Sequence, residues 1–423
     1  MSSCAKAYTI KEYGSFSRGK AVEGYKKLPP ETFDALEMFI LASNSGATTD
    51  AIELMSLSAR RGIGKVITAR NYVGVITMND GTVIEILPKI ANEEDDDDKT
   101  RKIFLEMLKT LKDVRFKDFS ISGLKTERLD LFEIFIRMFL DEIAVLTKQG
   151  LKAAYTPVES NERFYKGKLL VTQNLKYNLV RKERFFVRCD EFNMNRPENR
   201  LIKSTLAFLL KMTRDARNRR NTTQLLTFFD GVDYSANYET DISQCNIDHG
   251  MSHYGKALSW CQIFLRGNSF APFAGREVAI ALLFPMEEIF ESFVAAKFRR
   301  LIGDVFTMRT QDHRYSLFDR PSAFALCPDI VLENDERTIV LDTKWKLLAK
   351  SATNHGISQS DMYQMYAYGK KYRAKKVVLL YPLQDIDVGT YHSDKNNHEV
   401  VVEVAFIDLI KPDDSMGQLI AKL

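Results

Sequence analysis

Two aspartates and a lysine, Asp329, Asp342 and Lys344, stand in the stretch Cys327–Lys346 at a spacing that can do chemistry. Ile330–Leu332 and Thr338–Leu341 are rich in β-branched and aliphatic residues, with the polar run Glu333–Arg337 between them, which predicts a β-hairpin. A turn centred on Asp335–Glu336 sets Asp329 directly opposite Asp342, with Cβ atoms roughly 5 Å apart. Side chains alternate along a strand, so Lys344 points to the same face as Asp342. Two carboxylates that close are costly unless a cation sits between them. A hard divalent cation on carboxylate oxygens is the usual relief. Such a patch can hydrolyse a phosphodiester: bound metal stabilises the charge of an in-line displacement and activates water. The lysine ammonium would orient that water or balance phosphate charge. An ordinary exposed hairpin with charged residues on its wet face fits the same letters.

The run Pro328-Asp329…Asp342-x-Lys344 resembles the signature of the PD-(D/E)xK nucleases. About one helix downstream lies Asp361–Tyr368, where Gln364 and Tyr368 are four apart and share a helix face. This resembles the Gln-x-x-x-Tyr motif of the RecB-like branch, where it supports the active site and DNA. An amphipathic helix packing Met362, Met365 and Tyr366 would read the same way. Upstream, Pro285–Val294 starts a helix with Pro in its first turn. Glu287 and Glu291 share a face there, and Glu288 lies off it. The resemblance implies a further metal-side acid on this helix, assigned to Glu291. The expected catalytic set is Asp329, Asp342, Lys344, Glu291, Gln364 and Tyr368, with Asp329, Asp342 and Glu291 holding Mg²⁺. The order helix, hairpin, helix, strand Lys376–Tyr381 is that of an αβββαβ-type nuclease core.

Five basic residues in seven, Lys370, Lys371, Arg373, Lys375 and Lys376, follow the Gln364 helix. Cations at a helix C-terminus complement its dipole, which accounts for one or two of them. Three or more are expected to contact DNA phosphates.

The rest of the chain must position this patch. Its 423 residues predict two to three domains, and 45% apolar with 27% charged residues places it in the soluble globular class. A net charge of +4 is too small to announce nucleic acid by itself. The five cysteines are scattered, with no Cys-x-x-Cys pair, which argues against an iron–sulfur cluster or zinc ribbon and fits a reducing cytoplasm. Met1–Glu12 is polar and no apolar run reaches 18 residues, so neither a secretory leader nor a membrane span is expected.

Thr32–Ser43 predicts a helix. Lys65–Ala69, Tyr72–Met78 and Thr82–Leu87 predict strands, the last two joined by an Asn79-Asp80-Gly81 turn. Arg61–Lys65 lacks phosphate-loop spacing and reads as a turn. The acidic run Glu93–Asp98 reads as a linker. Lys99–Lys112 and Leu129–Thr147 have helical periodicity. Ala153–Glu159 and Lys168–Gln173 look extended. Asn174–Arg188 mixes bases with aromatics and reads first as an exposed strand with Phe186 buried, then as a nucleic-acid or partner surface. Arg196–Lys203 opens a long helix. Cys245, His249 and His253 lack a fourth ligand at zinc spacing. His392 to His398 reads as a polar loop rather than an HNH motif.

Tyr72–Ile76, Asp80-Gly81 and Ile86–Ile90, then Lys166-Gly-Lys168-Leu169, then Glu191-Phe192 with Asn199-Arg200-x-x-Lys203, then the nuclease-like core, occur in the order seen in McrC proteins. The chain resembles that family, the nuclease subunit of McrBC modified-cytosine restriction systems. Lys166-Gly167-Lys168 stands where the family usually has arginine-glycine-arginine. The resemblance implies a DNA endonuclease that docks on and stimulates an McrB-like AAA+ GTPase, with GTP used only through that partner, double-stranded DNA as substrate, and a cytoplasmic location. The chain carries no nucleotide-binding loop of its own.

The expected fold is an α+β or α/β multidomain protein. Residues 1–92 form a β-rich domain, 99–275 a helical and β middle domain that is a candidate for partner docking, and 276–423 a PD-(D/E)xK nuclease domain. Three function classes fit: the McrC-like endonuclease, a stand-alone RecB-like repair or defence nuclease, and a non-catalytic activator of a partner NTPase.

Overall fold

The computed structural model describes residues 6–45, 54–78, 80–90, 96–111, 129–245, 253–266, 278–393 and 399–423. Among these residues the chain forms eleven α-helices and five sheets, a mixed α/β architecture. It divides into two compact units: residues 1–131 with 269–423, and residues 132–268.

This differs from the expected three-way split at 92 and 276. Strand Val278–Pro285, expected to open the last domain, pairs antiparallel with Tyr72–Met78. The resulting sheet runs Ala7–Lys11, Val83–Leu87, Tyr72–Met78, Val278–Pro285, so strands about 190 residues or more apart in sequence share one sheet. Tyr72–Met78 is buried almost throughout, as a strand covered on both faces should be. Gly74 permits the pairing. It has φ +143°, and a Cβ there would lie 1.9 Å from the Leu282 carbonyl oxygen.

A second sheet in this unit holds Lys26–Leu28, Ser15–Arg18, Gly64–Ala69 and Met55–Arg60. Of the Arg61–Lys65 turn read from the sequence, Arg61–Ile63 turns, closed by Ile63 N donating to Arg60 O at 3.1 Å, while Gly64 and Lys65 already belong to the strand. The predicted Thr32–Ser43 helix spans Pro30–Ser45. Its Phe33, Leu36 and Phe39 pack with Phe16, Ile67, Ile76 and Ile84 in one core. Asn79, Glu93–Glu94–Asp95 and Lys112 lie outside the described residues. The acidic run ends inside a helix, Asp97–Leu108, whose N-cap Asp96 accepts from Lys99 N.

The six-stranded sheet carries the hairpin. Its order is Thr307–Thr310, Ile330–Glu333, Thr338–Thr343, Lys376–Pro382, Val401–Ile407, Thr390–His392. The first three strands are antiparallel, Lys376–Pro382 pairs parallel to Thr338–Thr343, and Val401–Ile407 pairs parallel to Lys376–Pro382. Helix Gln359–Lys371 crosses between the parallel strands and lays Met365 and Tyr368 on Val340, Val377 and Leu379. Helix Met286–Leu301 packs against Thr338–Thr343 and against the helix Pro412–Ile420.

The second unit combines helices with a three-stranded sheet, Ala154–Glu162, Phe185–Asn193, Lys168–Leu169. Glu133 anchors its polar core, accepting from Thr213 Oγ1 at 2.7 Å, Arg214 N at 2.6 Å and Asn218 Nδ2 at 2.7 Å. The extended reading of Lys168–Gln173 holds only for Lys168–Leu169; a helix, Val171–Asn178, follows. Asparagines hold that helix on the strand: Asn178 and Asn161 exchange amide bonds, and Asn174 Oδ1 accepts from Phe186 N. Val187 is buried in the strand, while Phe186 is half-buried and stacks on Tyr177.

Candidate active site

The hairpin has the register read from the sequence. Ile330 pairs with Leu341, Val331 with Val340, Leu332 with Ile339 and Glu333 with Thr338. Asn334 closes the turn, its Oδ1 accepting from Glu336 N and Arg337 N. One step beyond Ile330–Leu341 the register brings Asp329 to Asp342. Asp329 does not extend the strand. Its Oδ2 accepts from Thr343 N at 2.7 Å and Thr343 Oγ1 at 2.6 Å. That clamp fixes the carboxylate against the end of the neighbouring strand.

Asp342 is 2% exposed, and its Oδ2 lies 2.6 Å from Lys344 Nζ. The Lys344 ammonium is thus the ion-pair partner of this buried oxygen. Burial raises the Asp342 carboxyl well above its ordinary range, and repulsion from Asp329 adds to it; Lys344 opposes both. Burial also raises Asp329, against the two bonds from Thr343 and the charge of Lys344. Burial alone would lower Lys344, but Asp342, then Asp329 and Asp361, outweigh it and hold the ammonium charged.

Lys344 Nζ also reaches Gln364 Oε1 at 3.4 Å, a long contact, and Gln364 Nε2 donates to Tyr368 Oη at 2.8 Å. Asp342, Lys344, Gln364 and Tyr368 thus form one line of contacts. The fold explains it: Asp342 shares its strand face with Val340, and Val340 packs on the Gln364 helix. Tyr368 is 1% exposed, and burial pushes its phenol up, so it stays a neutral hydrogen-bonding group.

Glu291 stands to the side of this line. Its Oε1 accepts from Gln311 Nε2 at 2.5 Å, and Gln311 Oε1 accepts from Cys327 Sγ at 2.8 Å. Among the described residues no cluster of three or more His, Cys, Asp or Glu side chains is arranged to hold a metal ion. The two carboxylates Asp329 and Asp342, which repel each other in a largely buried setting, are still a donor set that suits a hard divalent cation. His249, His398, Asn396 and Asn397 lie outside the described residues; His392 Nδ1 lies 2.9 Å from Glu399 Oε1, and the two form a surface pair.

The basic cluster divides. Lys371 donates to Asp319 at 2.9 Å and Lys376 pairs with Glu403 at 2.8 Å. Lys370 lies over the Tyr366 ring. The Arg373 and Lys375 side chains are exposed.

Four residues the sequence did not single out join the site: Thr343, Gln311, Asp361 and Glu12. Asp361 adds negative charge that reaches both Asp342 and Lys344. It was visible as the first acid of the Gln364 helix. Glu12 and Asp361 line a cavity of about 570 Å³ together with Lys344, Trp345, Lys89 and Glu287.

The family model for a McrBC 5-methylcytosine restriction system component matches residues 67–382, most of the chain. The chain belongs to the McrBC family. No curated protein matches it. The fold resembles a chain of the refined half-complex from the tetradecameric assembly of Thermococcus gammatolerans McrB AAA+ hexamers with bound McrC. That likeness has a TM-score of 0.71 at 18% identity and covers 99% of this chain and 100% of that one. A chain of the cryo-EM structure of the Thermococcus gammatolerans McrBC complex aligns with a TM-score of 0.54 at 19% identity, covering 72% of this chain and 90% of that one. Among the described residues of this McrBC-family chain, no helix is long and apolar enough to cross a membrane.

Proposed function

We propose that this chain is the Mg²⁺-dependent DNA endonuclease subunit of a modification-dependent restriction system, acting with an McrB-like AAA+ GTPase. The observation that carries the reading is the buried Asp342–Lys344 pair beside the clamped Asp329, on a hairpin at the end of a mixed sheet, in a chain of this family. The helix, hairpin, helix and parallel strand follow in the order of a PD-(D/E)xK core.

Asp342 and Asp329 would hold the cation, with Glu291 as the further acid held in place through Gln311. Bound there, Mg²⁺ supplies Lewis acidity toward a phosphate oxygen and an activated water. The chain's own groups do the rest. The Lys344 ammonium, kept protonated by Asp342, Asp329 and Asp361, donates to a phosphate oxygen or to the attacking water and does not act as a base. Gln364 holds Lys344 in that position, and Tyr368 holds Gln364. The Thr343 clamp keeps Asp329 from swinging onto Lys344.

The second unit supplies a surface for the GTPase. Tyr155, Phe164, Tyr165, Val180 and Phe192 are all well exposed on or beside its three-stranded sheet, and Tyr155 and Phe192 touch at 5.1 Å. Tyr155 and Phe192 stand at one end of the strand pair and Phe164 and Tyr165 at the other, and exposed aromatic pairs of this kind suit a protein contact.

The test is Asp342→Asn, which keeps size and removes charge. With an McrB-like partner, GTP, Mg²⁺ and methylated duplex DNA, cutting should disappear while stimulation of the partner's GTP hydrolysis persists. Cutting at the parent rate would remove the site. Robust cutting of methylated DNA by the chain alone would favour the stand-alone nuclease.

A further inference from the structure

Between Gln311 and Asp329 the chain leaves the six-stranded sheet and makes a separate two-stranded hairpin, Ser316–Asp319 with Ser322–Ala325. No third strand pairs with it among the described residues. A two-stranded hairpin alone is marginal in water, so something must hold it. Its base is bolted down. Leu326 N donates to Tyr315 O at 2.8 Å, and the Tyr315 ring stands edge-on to Tyr372 at 4.7 Å. Arg314 lies over the rings of both Tyr315 and Tyr372 while bonding Asp312 and Glu333. Lys371 of the Gln364 helix pairs with Asp319.

The outer part is bare. Phe318 is 55% exposed and Phe324 73% exposed, with ring centroids 5.8 Å apart. Arg320 is exposed in the turn. Phe324 takes φ +59°, a conformation that bulky side chains rarely adopt and that surrounding structure must enforce. Nothing in the core needs these two rings. Phe324 is five residues from Asp329, so no more than about 18 Å of extended chain separates the two, and Phe318 stands against Phe324.

We propose that this hairpin is a DNA-engaging wedge that enters a groove of the substrate duplex beside the cleavage site. The proposal rests on the nuclease reading above. Three features select DNA over a protein partner. The hairpin leads directly into Asp329, so whatever sits at the site also meets the rings. The acid on it, Asp319, is neutralised by Lys371, which leaves Arg320, with exposed Arg373 and Lys375 at the neighbouring helix end, as the local charge. A ribbon of two strands about 4.8 Å apart, with side chains, matches a major groove about 12 Å wide. Apolar rings then lie against base edges, the thymine methyl among them, and Arg320 meets a phosphate.

The experiment uses the full chain with its GTPase partner and a methylated duplex oligonucleotide as the probe. In the Asp342→Asn background, Phe318→Ala with Phe324→Ala should weaken duplex binding roughly tenfold or more. In the otherwise unaltered chain the same pair should lose cutting while GTPase stimulation stays at the parent level. Arg320→Glu, at an exposed turn, changes no packing and should also weaken duplex binding, keeping the proposal open to test if the double variant unfolds. Duplex binding and cutting at parent levels in Arg320→Glu and in a folded double variant would overturn the wedge. Loss of GTPase stimulation with normal duplex binding would overturn it too, by making the hairpin a protein contact. If Asp342→Asn itself leaves cutting unchanged, the nuclease reading fails first.

Discussion

Trp345 Nε1 donates to Glu12 Oε2 at 2.9 Å across 333 positions of sequence. The bond ties the turn after the first strand to the residue that follows Lys344. Glu12 Oε2 also accepts from Lys89 N at 3.0 Å, while its Oε1 is buried without a hydrogen-bond partner. Trp345 in turn stands edge-on to Phe290 of the Met286–Leu301 helix. The backbone that presents Lys344 is thereby braced from two sides.

Burial raises the Glu12 carboxyl from its ordinary value to about 8, against the bonds from Lys89 and Trp345, with Glu287 nearby adding to the rise. Folded Glu12 therefore keeps its proton where the unfolded chain has lost it. Its stabilising share is full below about pH 4.5 and falls as pH rises toward 8 and beyond. Glu12→Gln should flatten the decline of thermal stability between pH 5 and 9 by an amount on the order of 3–5 kcal/mol. Parallel melting curves for parent and variant across that range would dismiss the buried neutral acid.

Gln364→Ala should lower cutting about 10- to 100-fold, the usual cost of removing a group that orients a site residue. Tyr368→Phe, which keeps the ring and removes only the hydroxyl that receives Gln364, should cost less. Single-turnover rates with saturating partner and DNA measure both. Equal, undiminished rates would leave Gln364 and Tyr368 as packing residues.

The basic cluster should show itself in salt dependence. Lys371 and Lys376 have acidic partners, and the exposed Arg373 and Lys375 are the set to replace by glutamine. In a cleavage-silent background the slope of log K against log salt should become shallower by about two. An unchanged slope would assign these cations to the solvated surface.

Tyr155→Ser with Phe192→Ser should leave the fold of the chain intact, since both rings are largely exposed. Binding to an McrB-like GTPase and stimulation of its GTP hydrolysis should fall at least tenfold, since aromatic anchors at interfaces cost about 2 kcal/mol or more when truncated. Stimulation at the parent level would move the docking surface elsewhere.

The hairpin was legible because everything that sets it is local. Strand alternation and the Asn334 turn fix which side chains face each other, and neither depends on the rest of the chain. The spacing of Gln364 and Tyr368 was legible for the same reason, since a helix puts residues four apart on one face. The tie from Lys344 to Gln364 was not, because it needs the parallel pairing of Thr338–Thr343 with Lys376–Pro382 to lay the helix over Asp342. Tertiary structure alone decided that Val278–Pro285 completes a sheet begun by Ala7–Lys11, which overrides the division at residues 92 and 276. It also decided that Glu12, an unremarkable acid after a first strand, ends up buried against Trp345. Hydrophobic periodicity says which face of a strand is buried but not which distant strand buries it. That choice is made by the summed packing of the whole unit.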